Sequence, residues 1–173
     1  MINNKLSTKG FTLIELLITI TVITVGIFGA YVAIQQAIST VDYSRSRLTA
    51  AFLAQEGVEI IKNIRDTNLL ERSVAWDKDL APGEYEVVYD DVQFLSPGLF
   101  ICASSSDFLT LRFLTKTDDG PYDYSSPNET RYKRKVRIER ISNEHLRLTI
   151  KVYWITKKGY KEFKLMQEMY KWW

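Results

Sequence analysis

Two hydrophobic rhythms divide this chain. Between Glu15 and Asp42 lie 26 residues without a charged side chain, apolar around the whole helical circumference rather than along one stripe. At 1.5 Å per residue, residues 11–34 form a helix of about 36 Å, more than the roughly 30 Å of a bilayer's hydrocarbon core. The pattern predicts a membrane-spanning helix. Beyond residue 39 no linker rich in proline or glycine intervenes, so the helix continues into water with a one-sided pattern. Ala51, Ala54, Val58, Ile61 and Arg65 mark one stripe, and Ala50, Leu53, Gly57, Ile60 and Ile64 lie beside it. Glu56, Glu59, Lys62, Asn63 and Asp66 are expected on the opposite, wet side.

Past residue 68 the period switches toward two. Leu146, Leu148, Ile150, Val152 and Trp154 alternate with Arg147, Thr149, Lys151 and Tyr153, as a half-buried strand requires. Residues 84–92, 108–114 and 131–141 read as further strands, and Lys157, Lys158 and Gly159 form a turn that returns residues 160–170 as a partner strand. Residues 118–130, with Gly120, Pro121, Ser125, Ser126 and Pro127, read as an exposed loop. The fold class is α+β: a long N-terminal helix, transmembrane and then amphipathic, packed on a C-terminal antiparallel sheet with one buried face.

Composition narrows the chemistry. The formal charge of the 173-residue chain is +2, too small for a global field that draws it to nucleic acid. A lone cysteine, Cys102, allows no intrachain disulfide, and with a lone histidine, His145, there is no zinc-type cluster. Cys102 has no neighbouring base, and no glycine-rich phosphate loop occurs, so the chain reads as neither enzyme nor cofactor binder. A cleavable secretory signal competes for the N-terminus, with Lys5 and Lys9 as its basic region and Ala37, Ile38 and Ser39 as its exit site. The apolar run exceeds the 7 to 15 residues such signals use and contains Glu15 near its start. Basic residues flank the span on both sides, Lys5 and Lys9 before it and Arg45 and Arg47 after it, so charge alone leaves the orientation open. Within the span Gly26, Ala30, Ala33 and Ala37 share one face, a seam of small residues that lets helices approach closely.

The membrane entrance carries the most specific signal. Lys9, Gly10, Phe11, Thr12, Leu13, Ile14 and Glu15 lead directly into the uncharged run, and a lone acid in such a span is rare and usually functional. This arrangement resembles the class III leader of type IV pilins and pseudopilins. The resemblance implies a leader over residues 1–10, cleavage by a prepilin peptidase between Gly10 and Phe11, N-methylation of Phe11, and an assembly role for Glu15. It implies four regions: the leader, a filament-core half of the helix over 11–39, an amphipathic half over 40–67, and a β domain over 68–173. Residues 52–70 and the C-terminal hairpin ending in Trp172 and Trp173 are similar to minor pilins of the PilV-like kind. The implied partners are other pilin or pseudopilin subunits, the peptidase, an inner-membrane assembly platform, and lipid before assembly. Many pilins carry a proline in the transmembrane half, which is absent here, and Gly26 and Gly29 are its candidate substitutes. Cys102, being alone, excludes the disulfide-bounded terminal loop of many major pilins.

Three further groups have simpler readings. Arg131, Lys133, Arg134, Lys135, Arg137 and Arg140 could hold nucleic acid or another subunit's acids, but Val136 and Ile138 alternate through the run, which predicts a solvated strand face. Asp118, Asp119 and Asp123 are weak candidates for calcium, and turn chemistry explains them more simply. Tyr160, Phe163, Tyr170, Trp172 and Trp173 could be adhesive, yet strand aromatics are more often core. The expected function is a minor structural subunit of a type IV pilus or a related, type II secretion-like filament. The competing expectation is a single-pass sensor or adhesin with an extracytoplasmic β domain that never polymerises.

Overall fold

The computed structural model describes residues 10–71, 74–87, 99–101, 111–116, 120, 122–124, 128–156 and 159–171. Helix α1, Leu13–Leu70, is followed by seven strands: β1 (Gly83–Val87), β2 (Leu99–Ile101), β3 (Thr115–Lys116), β4 (Tyr122–Asp123), β5 (Tyr132–Ser142), β6 (His145–Thr156) and β7 (Gly159–Tyr170). The chain divides into two compact units, Met1–Ser44 and Arg45–Trp173. In the first, every described residue is exposed, and α1 there is apolar enough to cross a membrane. Thr19, Thr21 and Thr24 turn their hydroxyls back onto the carbonyls of Glu15, Leu17 and Ile20 at 2.7–2.8 Å. These bonds satisfy the hydroxyls inside the helix, so they need nothing from the surroundings.

In the second unit the sheet order is β2-β1-β5-β6-β7, every neighbouring pair antiparallel. The hairpin β6–β7 keeps an unbroken register from Thr156 opposite Gly159 to His145 opposite Tyr170. Gly159 opens β7 at φ 106°, a conformation that disfavours any side chain. Its turn neighbours Lys157 and Lys158 lie outside the described residues. The core face of β6 is as expected, with Leu146, Leu148, Ile150, Val152 and Trp154 buried with Ala50, Leu53, Ala54, Val58, Ile60, Ile61 and Ile64 of α1 in one cluster, but on the opposite face Thr149 and Tyr153 are buried too. Helix and sheet therefore share one core, and neither buries its apolar face without the other. In the last turn of the helix, Asn68 donates to the carbonyls of Trp76 and Lys78 at 3.3 and 2.7 Å, tying down the segment that brings Trp76 and Leu80 into that core.

Only part of the basic run is a solvated face: Arg131, Arg137 and Arg140 are exposed, and the middle of the run is not. Arg134 is fully buried, and Lys133 and Lys135 are nearly so. Arg134 shares the parity of Val136 and Ile138 and so points with them into the core. Its guanidinium donates to the carbonyls of Leu53 in α1 (3.0 Å) and Val87 in β1 (2.6 Å), and pairs with Glu56 at 3.2 Å. Glu56, expected on the wet side of the helix, is thus drawn to the core's margin. The helix lies close against both strands at Gly57, where a Cβ would stand 3.4 Å from Arg134 Cδ and 3.5 Å from Ile150, an ordinary contact distance. On the other face Lys133 lies over the Phe113 ring, 4.3 Å from its centroid, and Lys135 and Arg137 share Glu84 at 3.1 and 2.5 Å. Arg140 pairs with Asp77 at 2.5 Å. The buried part of the run serves the fold.

Other expectations shift. Of 108–114 the described part is not strand, and the strand begins at Thr115. Within the 118–130 segment β4 pairs β3 and Glu129 bridges Thr115. Tyr160 and Tyr170 are exposed rather than core, Phe163 is half-buried, and Trp172, Trp173 and Cys102 lie outside the described residues.

Replacing Arg134 by alanine leaves two carbonyls and Glu56 without their buried donor and should cost about 3 kcal/mol. Denaturant unfolding of the detergent-solubilised chain measures it, and wild-type stability would contradict the clamp. Acid should weaken the same domain. Arg147 and then His145 hold the Glu168 carboxyl below its ordinary 4.5. Burial works to raise Glu84, but bonds from Arg137 and Lys135 outweigh it and hold that carboxyl low as well. Depressed carboxyls contribute stability that is complete above their unfolded pKa and lost as pH falls through the folded values. The unfolding midpoint should therefore be flat from pH 7 to about 5 and fall below about 4, and the fall should be shallower in E84Q/E168Q.

Candidate functional site at the head of the helix

The helix begins with its own stop signal. Thr12 precedes the first helical residue, its Oγ1 accepts the backbone N–H of Glu15 at 3.3 Å, and its carbonyl accepts from Leu16 at 3.1 Å. Those are the bonds of an N-cap. The T-x-x-E spacing of Thr12 and Glu15 is the sequence form of a capping box, a signal that reading the apolar run alone passes over. Glu15 lies in the first turn, where the positive end of the helix dipole favours a carboxylate by roughly 0.3 to 1 kcal/mol.

Gly10 and Phe11 lie before the helix and are exposed. Among the described residues nothing in the fold calls for glycine at position 10. Its φ is outside the left-handed region, and a Cβ built there meets no atom within 4 Å. A residue whose smallness the chain does not use is one whose smallness an outside surface can use. Gly26 and Gly29 are equally open inside the helix, at about 1 kcal/mol each in helix propensity. Ala30, Ala33 and Ala37 continue the exposed seam beside Gly26.

Residues 5–31 match the prokaryotic N-terminal methylation motif. The methylation motif covers the basic residues Lys5 and Lys9, the glycine, the aromatic, the acid and most of the apolar run. It supports a type IV pilin-like subunit, made as a prepilin for a prepilin peptidase and anchored through its apolar helix. No curated protein and no solved structure matches the chain.

The other candidates do not gather into a site. Asp123 accepts a short hydrogen bond from Thr115, and Asp118 and Asp119 lie outside the described residues. Among the described residues no three His, Cys, Asp or Glu side chains stand together as a metal site. His145 is engaged instead in the sheet, 2.6 Å from Glu168 and stacked on Tyr170 with centroids 4.3 Å apart.

Proposed function

We propose that this chain is a minor structural subunit of a type IV pilus or a related, type II secretion-like filament, of the PilV-like kind. The observation that carries the reading is the methylation motif at residues 5–31, and the open surroundings of Gly10 support it. A prepilin peptidase removes residues 1–10 with Lys5 and Lys9, which leaves the mature chain with equal numbers of basic and acidic side chains. Phe11 becomes the new N-terminus and is methylated. The chain enters the inner membrane once, N-terminus inward, with the β domain outside, and meets an assembly platform there.

In the filament the helices exchange lipid for one another. Gly26, Ala30, Ala33 and Ala37 form the packing seam, and Glu15 finds its partner in the Phe11 amine of a subunit already in place. An unpaired acid in an apolar surrounding costs about 2.5 to 3.5 kcal/mol. The pairing sets axial register, because a mismatched step leaves both charges without a partner. Sheared filaments should therefore contain the wild-type protein, whereas Glu15→Leu is inserted and cleaved normally but depleted from the sheared fraction about tenfold or more, and Glu15→Asp is partly incorporated. Equal incorporation of Glu15→Leu would remove the pairing role. A wild-type protein confined to the membrane fraction would instead favour the anchored sensor or adhesin.

A further inference from the structure

We propose that Thr12 is a positioning residue for leader cleavage: its side-chain cap ends the helix one residue after Phe11 and so keeps the bond between Gly10 and Phe11 in non-helical backbone. This rests on the reading of the chain as a prepilin cut at that bond. Hydrolysis adds water across the amide, leaving a carboxylate on Gly10 and an amine on Phe11, and a peptidase must reach both faces of that amide. A helical amide is inaccessible in this sense, because its carbonyl is already taken by an N–H four residues on.

Where the helix stops is a competition for one donor. In a longer helix the Glu15 N–H would go to the Phe11 carbonyl and the Ile14 N–H to the Gly10 carbonyl, drawing the scissile amide into the first turn. At the membrane entrance a backbone N–H without a partner is costly, so the donor takes whichever acceptor is offered. Thr12 Oγ1 offers one at 3.3 Å, and the described helix then starts at Leu13. The contrast with Thr19, Thr21 and Thr24 is chemical: those hydroxyls donate backward to carbonyls inside the helix, whereas Thr12 accepts from a main-chain donor ahead of it. Thr12 is exposed and belongs to no packed cluster, so the cap is the role the structure gives it.

The test is the initial rate of leader removal from the full-length precursor in membrane vesicles containing prepilin peptidase. Thr12→Val keeps the shape and removes the acceptor, Thr12→Ser keeps the acceptor, and Gly10→Val is the control for the site itself. Thr12→Val should be cut about five- to tenfold more slowly, the shift expected from losing one N-cap. Thr12→Ser should stay within about twofold of wild type, and Gly10→Val should remain uncut. A Thr12→Val precursor cut at the wild-type rate, or a Thr12→Ser precursor as slow as Thr12→Val, overturns the positioning role while Gly10→Val still upholds the cleavage site. Wild-type precursor left intact, or Gly10→Val cut efficiently, overturns the prepilin reading and the positioning role with it.

Discussion

An apolar helix that its own chain does not bury is the constraint on which the rest of this molecule depends. From residue 10 to residue 45 every side chain is exposed, and bulky groups such as Leu17, Ile23, Phe28 and Ile34 are more than half accessible. A water-soluble domain cannot carry so large an apolar surface uncovered. Lipid covers it in a membrane, and other helices of the same kind cover it in a polymer. Both environments demand that the polar groups within this stretch be satisfied locally. The back-bonded threonines do this for their hydroxyls, and the Thr12 cap does it for one of the donors that every helix leaves at its start. Glu15 is the exception, a charge in the first turn of an otherwise uncharged apolar run.

The second unit solves the opposite problem, since it must bury its own apolar face with about 26 residues of helix and a five-stranded sheet. Hydrophobic contact supplies the adhesion, and Arg134 supplies direction. One guanidinium reaches α1 at Leu53, β1 at Val87 and the Glu56 carboxylate, so a slip of the helix along β5 would strand a buried cation. Gly57 on the helix lies against both Arg134 and Ile150, close enough that an added Cβ would touch each at ordinary contact distance.

Much of this was legible because the physics was local. The alternation from Leu146 to Trp154 marks the face that meets the helix, although it does not show that Thr149 and Tyr153 on the opposite face are buried as well. The shift from an all-round apolar helix to a one-sided one likewise shows in the residues themselves. Arg134 departs from the expected solvated face because its place two residues before Val136 gives it the parity of the buried side, where its charge is met by two carbonyls and Glu56. The pairing of β1 with β5, and the places of Tyr122, Asp123 and Glu129 beside β3, depend on contacts that no short-range pattern encodes. At the helix head the glycine, aromatic and acid were plain, and the cap was equally plain in the spacing of Thr12 and Glu15. It went unread because a residue just outside an apolar run looks like a boundary rather than a part.

The central claim is that this helix is delivered by cutting the chain after Gly10, and the new terminus records that event directly. Mass spectrometry of the N-terminal peptide from membrane-extracted protein should find methylated Phe11 as the first residue. A chain that keeps Met1 and residues 2–10 in the membrane, in cells with an active prepilin peptidase, would contradict the account.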